Sequence, residues 1–110
     1  MSQDALRSPV FHILLALAER DQHGLGIADW VEQTTDGAME LGPGTLYRSL
    51  KEMAELGLIR EVRAPEADAD PRRKYYGMTP AGRRRLAAEA ARLERLVDVA
   101  RQWKLLPERG

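Results

Sequence analysis

A group of hydrogen-bonding side chains follows a glycine-rich start at Gly42-Pro43-Gly44. Its members are Thr45, Tyr47, Arg48, Ser49 and Lys51. They alternate with Leu46, Leu50 and Met53, whose i, i+4, i+7 spacing predicts the apolar face of a helix. At 100° per residue, Arg48 lies roughly opposite that face. Arginine reads guanine directly in the major groove and also binds phosphate, so the stretch favours a helix that contacts DNA.

The start of this helix suits close approach to an anion. Glycine at position 44 removes the Cβ that would obstruct a phosphate. Pro43 at the first helical position costs no hydrogen bond, because that amide has no helical partner. The remaining free amides and the helix dipole attract negative charge. We therefore place Gly44 with the predicted DNA-binding residues.

Each of these side chains also has a simpler interpretation. Arg48 could be a solvated surface arginine, or it could hold a phosphate instead of reading a base. Tyr47 flanks the apolar face and could pack there. The sequence leaves these alternatives open.

Charge is distributed unevenly along a chain of 110 residues whose formal net charge is zero. Two basic residues and seven acids precede Gly42, whereas ten basic residues and six acids lie between Pro43 and Arg85. Such asymmetry predicts one basic face, although solvated surface charge is the alternative.

A second basic group, Arg72-Arg73-Lys74, stands at the base of a predicted hairpin. The tip of this hairpin is acidic, with Glu66, Asp68 and Asp70, and should repel DNA. DNA contact is therefore expected at the base. Arg83, Arg84 and Arg85 are expected in solvent or paired with acids, with one of them in reach of a phosphate.

The elements that must hold these groups can be outlined from periodicity and capping. Ser8-Pro9 predicts a helix start, and a turn is expected at 21–24. Further helices are predicted at about 25–34, over the stretch after Gly42, and at about 81–105, the last after Thr79-Pro80. Gly57 should end the third helix in a left-handed conformation. Residues 58–63 and 74–78 are predicted to form a two-stranded hairpin.

The last helix carries an apolar stripe with no obvious partner in the chain. The stripe consists of Leu86, Ala90, Leu93, Val97 and Ala100, widened by Leu96 and Trp103. An uncovered stripe of this length predicts a partner helix. Trp103 could instead stack on a flat hydrophobic ligand at the two-fold axis; the alternative is packing against the partner's first helix.

This element order predicts a mainly α fold with a small β-hairpin, a winged helix-turn-helix followed by a long C-terminal dimerisation helix. Residues 1–79 would form the DNA-binding unit and residues 80–110 the dimerisation helix, within one compact domain. The chain has no cysteine and lacks an apolar run long enough for a membrane span. We interpret it as cytoplasmic, without a membrane partner, a metal, a cofactor or a catalytic site. His12 and His23 are interpreted as structural.

Four motifs, in order, make the chain resemble the PadR family of bacterial transcriptional regulators. They are HGLGI at 23–27, PGTLY at 43–47, ELGLI at 55–59 and RKYYGMTPAG at 73–82. The resemblance covers residues 8 to 85, and the single C-terminal helix is similar to that of the small members. Leu25 replaces the family's usual aromatic residue, and the acidic hairpin tip also departs from phosphate-contacting wings.

The resemblance implies a homodimeric DNA-binding regulator, usually a repressor, that often responds to a small molecule. It also implies that the C-terminal helix packs on the partner's first helix, which adds Phe11 and Leu14 to the expected interface. We therefore expect a repressor on a pseudo-palindromic operator, relieved by a small hydrophobic effector. The alternative is a winged-helix protein-interaction or ligand-sensing module without a DNA target.

Overall fold

The computed structural model describes residues 5–68 and 70–108 of the chain. Its helices are α1 (Ser8–Glu19), α2 (Gly24–Thr34), α3 (Pro43–Glu55) and α4 (Pro80–Gln102). Its strands are β1 (Gln22–His23), β2 (Ile59–Val62) and β3 (Tyr75–Met78). Within the described ranges, no helix combines the length and apolar character that a membrane crossing requires. The mainly α fold with a β-hairpin is confirmed.

The sheet has one strand more than the sequence predicts. Its order is β1-β3-β2, and both pairings are antiparallel. The hairpin of β2 and β3 pairs Ile59 with Met78, while β1 pairs Gln22 with Tyr76 along the other edge of β3. The expected turn at 21–24 is therefore wrong at Gln22 and His23, which form a strand that connects α2 to the hairpin.

The helix boundaries follow from local capping, with two corrections. Arg7, and not Ser8, is the N-cap of α1, and no side chain caps that helix. Thr79 caps α4 as predicted, since its Oγ1 accepts a hydrogen bond from the Gly82 amide at 3.0 Å. Gly57 has φ of +76° after α3, which confirms the predicted left-handed position. Helix α4 ends at Gln102, three residues before the predicted end.

The core lies between α1, α2, α3 and the inner side of the sheet. Ile13, Leu14, Ile27, Leu50 and Met53 are fully buried there. Gln22 is a buried polar residue among them, and its Nε2 donates to the Ala16 carbonyl at 2.8 Å. This bond satisfies the amide group, which would otherwise be costly to bury, and fastens β1 to α1.

Close backbone packing fixes α4 on the start of β2. A Cβ at Gly82 would lie 2.1 Å from the Leu58 carbonyl oxygen, so only glycine fits there. Thr79 adds two bonds: its Oγ1 donates to the Gly57 carbonyl at 2.6 Å, and its amide donates to the Leu58 carbonyl at 3.1 Å. The end of α3, the hairpin and α4 are thereby held in one arrangement.

Candidate nucleic-acid interface

The exposed start of α3 is the first component of the candidate interface. Gly42 is the N-cap, Pro43 is the first helical residue, and no side chain caps the first turn. All four residues from Gly42 to Thr45 are exposed. The first-turn amides therefore keep hydrogen-bonding capacity for an external acceptor, and the helix dipole makes an anion the favoured one.

Gly42 and Gly44 are not required by packing within the chain. A Cβ added at either position would meet no atom within 4 Å, and neither residue has a positive φ. This contrasts with Gly82, where a Cβ has no room. Glycine at position 44 is thus compatible with close approach to an external partner, as the sequence predicts.

The two faces of α3 separate as expected, with one exception. Leu46, Leu50 and Met53 are buried, while Arg48 and Lys51 are exposed. Among the described residues, no ion-pair partner is recorded for either cation. Both are available to an external anion.

Ser49 is the exception on this helix. Its side chain was predicted to bind DNA, but the residue is only 3% exposed and lies with the core residues of α3. It follows Leu46 by three positions, which places it on the inward face. Ser49 is therefore not accessible to DNA in this conformation, unlike the other predicted residues of α3.

For Tyr47 the sequence leaves open whether the side chain is exposed for DNA contact or packs on the protein, and the structure shows both exposure and packing. It is 51% exposed, yet its hydroxyl lies 3.0 Å from the point where a Cβ at Gly24 would stand. Gly24 is the first residue of α2, and its missing side chain makes room for the phenol ring. Tyr47 thus packs against the start of α2 while about half of its surface remains exposed to solvent.

The wing, residues 63–74 between β2 and β3, is the second component. Asp68 accepts a hydrogen bond from the Tyr75 hydroxyl at 2.7 Å and lies 3.7 Å from an Arg73 guanidinium nitrogen. The Tyr75 ring in turn packs edge to face on His23, with centroids 5.2 Å apart. The Tyr75 hydrogen bond is the main cause that lowers the pKa of Asp68, and the same bond raises the pKa of Tyr75.

A second, more exposed ion pair lies beside the first. The Arg72 Nε atom is 3.3 Å from the Asp70 carboxylate, which also accepts the Arg72 amide at 2.9 Å. These bonds, the backbone bond first, lower the pKa of Asp70. Two of the three acids predicted at the wing tip, Asp68 and Asp70, thus pair with arginines of the wing itself. The negative charge of the tip is therefore partly neutralised within the chain.

Both components meet in a groove of about 480 Å³. Helix α3 contributes Tyr47 to its lining, and the wing contributes Asp70, Arg72, Arg73 and Lys74. The remaining lining residues are His23, Gly24, Leu25 and Tyr76. Four predicted DNA-binding residues therefore share one groove, whereas Gly44, Thr45, Arg48 and Lys51 lie outside its lining, on the exposed part of α3.

His23 lines this groove and also has a structural role. Its place at the candidate interface is not evident from the sequence. Its Nδ1 accepts the Gly26 amide at 3.1 Å and so caps α2. A backbone amide can only donate, so Nδ1 is the acceptor in this bond. Its place beside β3 depends on the unpredicted strand β1, which is why sequence periodicity did not reveal it.

The outward face of α4 is a separate apolar surface. Leu96, Val97 and Trp103 are exposed, Trp103 by 74%, and Leu93 and Ala100 are half-buried. Ala90 is exposed and Phe11 of α1 is half-buried. Leu14 and Leu86, in contrast, are buried in the core of the same chain. Their place in a dimer interface stays a prediction, and they are the members of the predicted set with the least exposed surface in the protomer, 0% for Leu14 and 7% for Leu86.

Fold and site together define the class of winged helix-turn-helix proteins, in which α2 and α3 form the helix-turn-helix and the wing joins β2 to β3. Comparison with known proteins identifies the family. A sequence model described as "Transcriptional regulator PadR-like family" matches residues 13–88. The chain therefore belongs to the PadR-like family of transcriptional regulators.

Solved structures agree with this assignment. A PadR family transcription regulator from Clostridium difficile is 28% identical, with a TM-score of 0.73 over 88% of this chain and 98% of that chain. A transcriptional regulator from Clostridium thermocellum gives 24% identity and a TM-score of 0.72, over 89% of this chain and 97% of that one. Bacillus subtilis PadR in complex with operator DNA shares the fold at 20% identity and a TM-score of 0.64, covering 74% of this chain and 45% of that chain.

One relative from Streptomyces fradiae is much longer than this chain. It is an uncharacterised 37.1 kDa transposon protein, 34% identical over 84 residues. The match covers 76% of this chain but only 22% of that relative. This chain thus spans about a fifth of the length of the relative it matches.

Proposed function

We propose that this protein is a sequence-specific, DNA-binding transcriptional repressor that acts as a homodimer on a pseudo-palindromic operator. The observation that carries the proposal is the groove in which Tyr47 of α3 faces the wing cations Arg72, Arg73 and Lys74. A recognition helix and a wing that share one cationic groove can hold a DNA strand between them. Family membership supports the same activity.

Helix α3 is the element proposed to enter the major groove. An α-helix with side chains is about 10–12 Å wide, which fits a major groove about 12 Å across. Gly44 and Thr45 would approach the phosphates through backbone amides, while Arg48 points at the base edges and Lys51 at the backbone. Arg48 is proposed as the base-reading residue, because arginine forms bidentate contacts with guanine.

The homodimer is proposed from the exposed apolar face of α4. Leu96, Val97 and Trp103 extend over almost two helical turns and are uncovered by the described part of the chain. A second copy would bury them together with Leu93, Ala100, Ala90 and Phe11. Two-fold symmetry would then present two α3 helices to half-sites about one helical turn of DNA apart, or a multiple of it.

Relief by a small hydrophobic effector is the most specific element of the proposal. Trp103 would lie near the two-fold axis, where a flat ligand could stack on its indole ring. Such a ligand would change the angle between protomers and so the distance between their α3 helices. Titration of candidate ligands tests this step, with operator affinity measured beside the tryptophan fluorescence of the wild type and of Trp103→Phe, which retains only Trp30.

The experiment that tests the whole proposal is selection of bound sequences from a random duplex pool, followed by a salt titration on the enriched site. A dimeric repressor that acts by occupying its operator should enrich a pseudo-palindromic sequence from the pool. The logarithm of its binding constant should fall with the logarithm of salt concentration at a slope of about −0.9 per phosphate contacted. A folded protein that enriches no sequence and shows no salt slope would contradict the proposal.

The second candidate is a winged-helix interaction or ligand-sensing module without a DNA target. The zero net charge favours it, as do Asp68 and Asp70 in the wing. This candidate predicts no salt-dependent duplex binding in the same titration.

A further inference from the structure

The two arginines of the groove between α3 and the wing, here called the wing groove, differ in how firmly their acidic partners are held. Arg73 faces Asp68, whose side chain is only 8% exposed and is also bonded by the Tyr75 hydroxyl. Arg72 faces Asp70, and its own side chain is 89% exposed. The carboxylate of the first pair is thus nearly buried, whereas that of the second is 33% exposed and its arginine is almost entirely in water.

Asp70 takes the place at Arg72 that a DNA phosphate could occupy. Both are oxyanions that accept the guanidinium N–H groups, and both would lie in the groove next to Tyr47 and Lys74. A solvated ion pair is weak, because water screens it and two side chains lose freedom to form it. A phosphate that approaches along the groove can therefore displace Asp70 at little cost. Arg73 lies 3.7 Å from a carboxylate that the Tyr75 hydroxyl holds in place, so its acidic partner remains beside it when Asp70 is displaced.

We propose that Asp70 is an internal competitor of DNA: a phosphate enters the wing groove by replacing Asp70 at Arg72, while Arg73 stays paired with Asp68 and positions the wing. This inference rests on the proposed DNA-binding function and adds to it. It divides the predicted wing contacts into an exchangeable arginine and a positioning arginine. It also gives the acidic wing a role, which is to weaken binding to any duplex that places no phosphate in the groove.

The variant that isolates the competitor is Asp70→Asn. Asparagine keeps an oxygen for the Arg72 amide and so preserves the turn, but it removes the charge that holds the guanidinium. Glu66→Gln is the matched control, because it removes one negative charge from the same wing at an exposed position with no ion pair recorded in the described chain. Arg72→Gln and Arg73→Gln test the two arginines, and circular dichroism with thermal melting checks that each variant folds.

Binding is measured by fluorescence anisotropy on the duplex enriched from the random pool, over a range of salt concentrations. Asp70→Asn should tighten binding by about two- to five-fold, as expected for release of a surface ion pair, and Glu66→Gln should change it less. The gain should vanish in the Asp70→Asn, Arg72→Gln double variant. Arg72→Gln should make the log–log salt slope shallower by about 0.9, while Arg73→Gln should leave that slope unchanged.

Three results would overturn the exchange: no gain from Asp70→Asn, an equal gain from Glu66→Gln, or a gain that survives without Arg72. An equal gain from the control would mean that only the general field of the wing matters. Failure of the proposed DNA-binding function would give a different result from these three. In that case the wild-type protein would bind no duplex at any salt concentration, and both the function and the exchange would fall.

Discussion

Arg48 is the residue on which sequence recognition is proposed to depend. Its exposed position opposite the buried face of α3 leaves it free to reach a base edge. Arg48→Ala should weaken operator binding by about 1–3 kcal/mol and relax the preference at one base pair. Anisotropy titrations on the operator and on its single-base variants measure both effects. Equal weakening on every sequence would make Arg48 a phosphate contact.

Gly44 offers a test that separates DNA approach from folding. A Cβ at position 44 has open space around it, so Gly44→Ala should preserve the fold and raise the free energy of unfolding by about 0.4–1 kcal/mol, because alanine restricts the unfolded chain more than glycine does. The added methyl group should nevertheless reduce operator affinity if the helix start touches a phosphate. Thermal melting and anisotropy on the same preparation measure the two effects. Unchanged affinity would remove Gly44 from the interface.

At this scale the sequence predicted most of the exposed set on α3, and its error at Ser49 has a clear cause. Arg48 stands about 200° from Leu46, so its outward direction follows from helical geometry. Ser49 stands about 300° from Leu46, which is equivalent to 60°, and so lies on the inward side. Its small polar side chain suggested exposure, but the angular position decides burial. Leu14 and Leu86 show a second limit of prediction from sequence. An apolar residue that packs in its own core and one that packs on a partner have the same helical spacing in the sequence.

At the scale of elements, capping and periodicity predicted the four helices and the hairpin, but not β1. Two residues are too short for any periodic signal, and the partner of Gln22 is Tyr76, far along the chain. The wing groove was missed for the same reason. It is assembled from α2, α3 and the hairpin, and the folding back of Asp68 and Asp70 depends on the three-dimensional course of the loop.

The packing of α4 on β2 leads to a prediction about stability. Gly82→Ala would place a methyl group 2.1 Å from the Leu58 carbonyl oxygen, so α4 or the strand must move. Strain of this kind usually costs about 1–3 kcal/mol, and backbone leaves less room for relaxation than a side chain would. Chemical denaturation should show a lower free energy of unfolding, with Gly44→Ala as the control. An unchanged midpoint would mean that the packing at Gly82 is looser than described.

The Asp68–Tyr75 bond predicts how the wing responds to pH. The folded pKa of Asp68 lies below its usual value of 3.8, so its contribution to stability is present above that value and is lost as the pH falls through the folded pKa. Tyr75→Phe removes the donor and should raise the pKa of Asp68 towards 3.8. A carbon-13 NMR titration of the carboxyl group measures this. Tyr76→Phe is the control, and an equal shift in both variants would contradict the assigned cause.

The shape of the whole molecule also points to a partner for α4. The radius of gyration is 15.6 Å, whereas a compact domain of this size would have about 13 Å. The longest dimension is 51 Å against 34 and 26 Å for the others. Only the first part of α4, with Leu86 and Glu89, is buried against the chain's own core, and Leu96, Val97 and Trp103 lie beyond it in solvent. The sequence predicted an uncovered stripe from apolar residues at helical spacing, and the structure leaves the part of it that lies beyond Leu86 largely uncovered.

Leu96→Glu tests whether a second copy covers the stripe. Leu96 is already exposed in the protomer, so the change should leave the protomer folded and place a charge in the proposed interface, where it would be desolvated without a partner. We expect sedimentation velocity to show a shift from dimer to monomer. Operator affinity should fall by at least about 100-fold, because two linked half-site contacts become independent.

Leu56→Glu is the control for this change, since Leu56 is exposed to a similar extent at the end of α3 and lies outside the stripe. It should leave the dimer intact. A dimer that survives Leu96→Glu would move the interface away from α4. Loss of operator affinity in a Leu96→Glu protein that remains dimeric would instead mean that α4 sets the distance between the two α3 helices without holding the protomers together.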